Sequence, residues 1–209
     1  IISIGESNLF LSLVLTMLTC LVLGMGIPTI PNYIITSSLA GPALLELGVP
    51  LLVSHMFVFY FGIMADLTPP VALACFAAAP IAKSSGLKIS LNAIKLAAAG
   101  FVIPFMAVFT PSLMLQEGGW MAEAYGYPVE VAYVIFKACV GIGLTGVGLI
   151  GFLFVKAGVV ERAAFLAAGI TLILALPMTD EIGFALGFVL VALQVWRVRK
   201  ARQTAARQA

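Results

Sequence analysis

Two long apolar stretches of this chain are each interrupted by a short segment containing proline, and these interruptions restrict the possible folds more than any other feature. The first segment is GMGIPT at 24–29 and the second is DLTPP at 66–70. Proline removes a backbone donor and disrupts the hydrogen bond to the residue four positions back, and glycine adopts dihedrals that other residues avoid. Each interruption therefore predicts a break between two half-helices.

The composition places these interruptions in a membrane. Hydrophobic residues make up 62% of the 209 residues and charged residues only 10%, whereas soluble domains average about 45–50% and about 25%. Apolar stretches close to the ~20 residues that cross a hydrocarbon core recur along the chain. We therefore expect an all-α integral membrane protein and not an unusually apolar soluble bundle.

The apolar segments fall into two groups. A re-entrant hairpin over 8–41 and a broken helix over 50–82 contain the interruptions, and an uninterrupted helix over 93–115 follows. The hairpin limbs are short for a crossing at about 1.5 Å per residue, and a single kinked helix is the alternative. Beyond 116 we predict three more spanning helices, at 131–155, 163–177 and 182–196.

Charges between these segments alternate in sign. Basic residues occur at 83–95, at 156–162 and in the C-terminal tail, whereas acidic residues occur at 116–130 and 180–181. The positive-inside rule then places the basic segments and the C-terminus in the cytoplasm and the acidic segments outside. The stretch 87–95 is predicted either as an amphipathic interfacial helix or as a solvated connector.

Asp66 is the strongest single candidate for chemistry, because it lies in the second interruption between two apolar runs. An ionisable side chain at such a depth is costly and functional by default, and it would bind Na⁺ or carry a proton. The alternative is that Asp66 or Thr68 caps a half-helix beginning at Pro69 and Pro70. For GMGIPT the alternative is a simple kink or turn between packed helices.

The remaining candidates indicate no cofactor and no enzyme. Cys20, Cys75 and Cys139 lack metal-ligand spacing and are predicted to be buried free thiols, and the single histidine, His55, has no partner for a transition metal. Lys137 is predicted to snorkel to the membrane interface. Hydrolase motifs and phosphate-binding loops are not found in the sequence.

The run from GMGIPTIPNY to DLTPPVALACF resembles the large, DctM-like permease subunit of tripartite ATP-independent periplasmic (TRAP) transporters, and most closely the fused permeases of the TAXI branch. The resemblance covers residues 1–115. It implies a secondary, elevator-type transporter in the bacterial inner membrane that imports organic acids delivered by a periplasmic solute-binding protein. Na⁺ or H⁺ would be the coupling ion, with no cofactor and no nucleic-acid partner.

The large subunit of this family has two inverted repeats, and this chain is similar to the second. The resemblance implies that residues 1–115 form a second-repeat transport region, whose partners are the remaining repeat, a small-subunit region and the lipid bilayer. The hairpin and broken helix, 8–82, would belong to the moving unit. The implied ion site has two sides, formed by Gly24, Gly26, Pro28 and Thr29 on the hairpin and by Asp66, Thr68 and Pro69 on the broken helix.

Two departures limit what the resemblance implies. Dicarboxylate-type members commonly have an uncharged residue where Asp66 stands, so Na⁺ and H⁺ both remain open as the coupling ion. Residues 116–209 lie beyond the family pattern and are predicted to be a C-terminal membrane extension with three helices and a basic cytoplasmic tail. Substrate-binding residues are not predicted.

The alternative function is a non-transporting membrane scaffold or partner-binding module. It differs from a transporter in geometry, because a transporter needs the two interruptions within roughly 10 Å of each other and at the same depth.

Overall fold

The computed structural model describes residues 8–116, 118–173 and 179–208, and over these ranges the chain is built of helices with one isolated β-bridge. The all-α prediction is therefore confirmed. The chain divides into two compact units between Val131 and Ala132.

The first unit contains helices α1 (Leu9–Leu23), α2 (Thr29–Glu46), α3 (Leu51–Met64), α4 (Leu73–Ala82), α5 (Gly86–Leu96), α6 (Ala98–Phe109) and α7 (Trp120–Tyr125), with a short 3-10 helix at Pro111–Met114. Helices α1 and α2 pack against each other and against α3. On its other side α3 contacts α6, and α4 packs on α5. Helix α3 is therefore the centre of this unit.

An aromatic cluster fixes α3 in this central position. The rings of Phe57 and Phe61, both fully buried on α3, lie edge to face with centroids 4.9 Å apart. Phe105 of α6 contacts both rings at 5.3 and 5.8 Å. Such edge-to-face pairs contribute about 0.5–1.5 kcal/mol each beyond the area they bury. The cluster holds α6 on the helix that leads into the second interruption.

The helix predicted over 93–115 is displaced toward the N-terminus in the structure. It begins at Gly86, turns at Ala97 and ends at Phe109. Ser85 starts it, because its hydroxyl accepts a hydrogen bond of 3.4 Å from the amide of Lys88. The stretch 87–95 is thus helical and continues into α6.

The second unit is a bundle of closely packed helices. Helix α8 (Tyr127–Ile150) crosses the division, and its part in this unit packs with α9 (Val159–Ile173) and α10 (Thr179–Gln208). Glycines permit the close approach: a β-carbon on Gly148 would lie 2.7 Å from Leu166, and one on Gly187 would lie 2.7 Å from Leu144. Small residues at helix contacts are typical of bundles that assemble in lipid.

Among the described residues, three helical stretches are long and apolar enough to cross a membrane: Gly86–Phe109, Tyr127–Ile150 and Thr179–Lys200. The fourth predicted span, 163–177, ends on residues outside the described ones. Shorter apolar helices occur at Leu9–Leu23, Leu51–Met64 and Leu73–Ala82. These are the limbs that border the two interruptions, and their lengths suit half-helices.

Candidate functional site

The first interruption lies against the residues that flank the second. Gly24, at the tip of the hairpin, is buried, and a β-carbon placed on it would lie 2.8 Å from the carbonyl oxygen of Gly62 and 2.9 Å from the Cβ of Ala65. Gly26 has a positive φ of 75°, and its β-carbon would lie 3.6 Å from Val71. Only glycine at position 24 permits this approach of the hairpin tip to the end of α3.

Asn32 joins the hairpin to the broken helix, a contact that the sequence analysis missed. Its Nδ2 donates a hydrogen bond of 2.8 Å to the carbonyl oxygen of Gly62. Its side chain is almost completely buried, and its Oδ1 has no hydrogen-bond partner among the described residues. A polar residue facing the interior of an apolar hairpin limb was the available signal in the sequence.

Immediately after α3 the backbone hydrogen bonds change from the α-helical pattern to the tighter pattern of a 3-10 turn. The amides of Asp66, Leu67 and Thr68 each donate to the carbonyl three residues earlier, at 3.1–3.2 Å. The segment then passes through a cis peptide bond between Pro69 and Pro70. This turn shifts the hydrogen-bond pattern by one residue, so Gly62 loses its helical donor and Asn32 supplies the replacement.

The proposed cap of the second half-helix is wrong. Helix α4 begins at Leu73, after Ala72, and no side chain caps it. The hydroxyl of Thr68 instead donates a hydrogen bond of 2.7 Å back to the carbonyl oxygen of Met64. Asp66 contributes its own carbonyl oxygen, which accepts from the amide of Ala74 at 3.2 Å. The segment is therefore closed by backbone bonds and not by a capping carboxylate.

A helix end leaves carbonyls without intrahelical partners, but at this interruption they are mostly occupied. Those of Gly62, Asp66 and Leu67 each accept a hydrogen bond. A carbonyl oxygen has two lone pairs, so each retains acceptor capacity. Within this interruption, a side-chain oxygen lacks a hydrogen-bond partner among the described residues: Oδ1 of Asp66, which is buried although the residue as a whole is half-buried.

Some of the residues that the resemblance assigned to the site lie at the second interruption, and others lie away from it. Gly24 lies against Ala65 before the second interruption and Gly26 lies near Val71 after it, and Asp66 lies within the interruption, as do the half-buried Thr68 and Pro69. In contrast, Pro28 and Thr29 are exposed at the start of α2. In the described part of the chain, no hydrogen bond links either of them to the second interruption.

His55 forms part of a second contact between the hairpin and α3. The hydroxyl of Tyr33 lies 2.8 Å from Nδ1 of His55, and the ring of Tyr33 packs edge to face on Phe59 at 5.6 Å. Together with the bond of Asn32, this contact attaches α2 to α3 at two heights.

Lys137 does not snorkel, contrary to the prediction. It is 5% exposed, and its Nζ lies 2.7 Å from Oδ1 and 3.0 Å from Oδ2 of Asp180 at the start of α10. The hydroxyl of Tyr133 donates to the same carboxylate at 2.8 Å. The carboxylate compensates the ammonium inside the bundle, and the hydroxyl of Tyr133 satisfies the carboxylate in turn.

A second ion pair lies near the other end of the apolar part of α10. Arg197 contacts Oε1 of Glu161 at 2.8 Å. Next to it, the guanidinium of Arg162 donates to the last carbonyls of α8, those of Gly148 and Leu149, at 2.9 and 2.8 Å. Arg162 thereby satisfies a helix C-terminus that otherwise has unpaired acceptors.

The predicted state of the cysteines is partly correct. Cys20 and Cys75 are free and buried, whereas Cys139 is free and exposed. The prediction of a buried thiol is wrong at Cys139, because this residue lies on an outer face of α8.

A comparison with known families identifies the first half of the chain. The family model described as tripartite ATP-independent periplasmic transporter, DctM component, matches residues 1–118, which is more than half of the 209 residues. No curated protein and no solved structure matches the chain.

Proposed function

Because this chain belongs to the family of the DctM component of tripartite ATP-independent periplasmic transporters, we propose that it is part of a secondary permease that imports organic acids with Na⁺ or H⁺ as the coupling ion. The family is one of membrane transporters, and the apolar helices agree with a multi-pass membrane protein. The solute would be delivered by a periplasmic binding protein, as in TRAP systems generally.

The observation that carries this proposal is the contact between the two interruptions. The hairpin tip at Gly24 and the end of α3 at Gly62 and Ala65 are in van der Waals contact. Half-helix ends that meet within a membrane bring partial charges and backbone carbonyls together, an arrangement that transporters use to bind ions. A scaffold module has no need for this geometry.

Two buried side-chain oxygens support the same conclusion. Oδ1 of Asp66 and Oδ1 of Asn32 lack hydrogen-bond partners among the described residues, although buried polar atoms in proteins are nearly always paired. Both belong to residues at the contact of the two interruptions. We propose that they face the coupling ion, with Asp66 as a Na⁺ ligand or a proton carrier and the carbonyls of 62–67 as additional acceptors.

The other half of the site would come from a first, inverted repeat. In this proposal residues 1–115 are the second-repeat transport region, and 8–82 move as one body past the rest of the permease. Residues 116–209 are a C-terminal membrane extension. The permease would lie in the bacterial inner membrane with the C-terminus in the cytoplasm, and the binding protein would dock outside, near 42–49.

The test is uptake by the complete permease in proteoliposomes, supplied with its binding protein and with imposed Na⁺ or proton gradients. We expect Asp66→Asn to lower ion-driven uptake at least tenfold, because the ligand or proton carrier is lost. Glu123→Gln is the matched control, since Glu123 is an exposed acid outside both interruptions. If Asp66→Asn leaves both the uptake rate and its ion dependence unchanged, the proposed role of Asp66 is wrong.

A further inference from the structure

The helix that follows the broken helix reaches into the second interruption. Ser90 of α5 is completely buried, and its hydroxyl donates a hydrogen bond to the carbonyl oxygen of Leu67. Leu67 is the residue next to Asp66 within the interruption. From the sequence this part of the chain is predicted as an interfacial helix or a connector, and the family match assigns no role to the serine.

The buried face of α5 is seated firmly on α4. Gly86 lies one turn before Ser90 on the same face, and a β-carbon there would lie 2.7 Å from Cγ of the Phe76 ring. The buried Cys75, next to Phe76, has its Sγ 4.0 Å from the same carbonyl oxygen of Leu67. The remaining faces of α5 expose Leu87, Leu91 and Leu96. Ser90 therefore belongs to a fixed contact.

The choice of acceptor is informative. A serine in a helix commonly donates to the carbonyl four residues earlier in its own helix. Ser90 donates instead to a carbonyl 23 residues away in sequence. The hydroxyl of Ser90 therefore stabilises the interrupted segment and not α5 itself.

The second interruption is consequently held from two directions. The hairpin tip contacts Ala65, immediately before the interruption, and α5 contacts Leu67 within it, with Asp66 between the two. Fixing the carbonyl of Leu67 fixes the peptide plane between Leu67 and Thr68, and so limits rotation about ψ of Leu67 and φ of Thr68, the residues that follow Asp66.

We infer that Ser90 is a positioning residue for the coupling-ion site: its hydroxyl holds the backbone beside Asp66 in the geometry that binds the ion. This inference rests on the proposed function and adds α5 to the parts of the molecule that determine ion affinity.

The experiment measures uptake by the complete permease with its binding protein in proteoliposomes, as a function of Na⁺ concentration at fixed pH and of pH without Na⁺. For the ion that drives the wild type, Ser90→Ala should raise the half-saturating concentration about three- to tenfold, the effect of losing one net hydrogen bond. The rate at saturating ion should stay within about twofold of wild type. Ser90→Thr keeps a hydroxyl and should restore ion affinity.

Ser85→Ala is the matched control. It removes a hydroxyl that caps the same helix, where Ser85 accepts from the amide of Lys88, but it does not touch the interruption. A general weakening of α5 would affect both variants equally. The inference is overturned if Ser90→Ala and Ser85→Ala have the same half-saturating concentration, or if Ser90→Ala lowers only the maximal rate.

Failure of this inference is separable from failure of the proposed function. Asp66→Asn is measured in the same assay. If it abolishes ion dependence while Ser90→Ala behaves as wild type, the ion site stands and the role of Ser90 falls. If Asp66→Asn has no effect, both the proposed ion site and the proposed role of Ser90 are wrong. Should the alanine variant not accumulate, Ser90→Cys, which is similar in size but a weaker donor, takes its place in the comparison with Ser85→Ala.

Discussion

Asn32 and Gly62 are joined by a hydrogen bond of 2.8 Å that runs from the hairpin to the last turn of α3. The donor is a side-chain amide, and the acceptor is a carbonyl oxygen that the tight turn at Asp66 has left without its helical partner. One side chain therefore completes the end of one element and attaches another element to it. The contact makes the two interruptions a single structural feature.

Asn32→Leu should destabilise this feature. The substitution leaves the buried carbonyl of Gly62 without a donor, which costs about 1–3 kcal/mol in the free energy of unfolding. Thermal unfolding of the purified permease in detergent measures the loss, and uptake should fall with it. Ser38→Ala, on the exposed face of α2 where the hydroxyl bonds only Ile34 of its own helix, should shift neither. Equal unfolding temperatures for both variants would contradict the role of Asn32.

Gly24→Ala should separate the hairpin tip from α3. Its β-carbon would overlap the carbonyl of Gly62 and the side chain of Asn32, both at 2.8 Å, and overpacking of this kind costs about 1–3 kcal/mol. Gly41→Ala is the control, because a β-carbon there meets nothing within 4 Å. We expect the first variant to lose most uptake and the second to keep it. The prediction fails if the two glycines tolerate alanine equally.

Lys137→Met should be strongly destabilising, whereas the double variant Lys137→Met with Asp180→Leu should recover much of the loss. Removing one member of a buried ion pair leaves an uncompensated charge, at a cost of about 3–5 kcal/mol, whereas removing both does not. A double-mutant cycle on thermal unfolding measures the coupling. Arg197→Ala, at the half-exposed pair with Glu161, should cost only about 0–1 kcal/mol. Additive effects at Lys137 and Asp180 would contradict this prediction.

Lys83→Gly should stabilise the protein. Lys83 ends α4 with a φ of 48°, in the left-handed region that glycine adopts without a steric penalty, and its side chain is exposed. We expect a gain of about 0.5–1 kcal/mol. The same replacement at Lys88, in the first turn of α5, should instead destabilise the protein, by up to about 1 kcal/mol. Differential scanning calorimetry would show opposite shifts, and shifts of the same sign would refute the backbone explanation.

The hairpin and the broken helix were predictable because their signals are local. GMGIPT and DLTPP interrupt apolar runs, and proline and glycine act on the backbone wherever they occur. The family resemblance, confirmed over residues 1–118, rests on the same two segments. The boundary of α10 was harder: hydropathy indicated 182–196, but the helix runs through Thr179–Gln208. Lysine, arginine and alanine propagate a helix beyond the apolar part.

The contacts that complete the site were not predictable, since each depends on a partner distant in sequence. Asn32 bonds a carbonyl 30 residues away and Ser90 one that is 23 residues away. Lys137 was misjudged for the same reason, because its partner, Asp180, lies 43 residues further along the chain. The choice between snorkelling and pairing depends on what the bundle places beside the lysine.

The two ion pairs described in the second unit also mark the ends of the apolar part of α10 and so define its length. Asp180 and Arg197 lie at the two ends of the apolar part of α10, each paired to a neighbouring helix, about 25 Å apart at 1.5 Å of rise per residue. That distance approaches the ~30 Å thickness of a hydrocarbon core. Because both charged layers are anchored within the bundle, neither can slide along the membrane normal independently. The bundle is thus suited to bilayers of ordinary or slightly reduced thickness. A bilayer with longer acyl chains would have to become thinner around the bundle, at a small free-energy cost per ångström of mismatch.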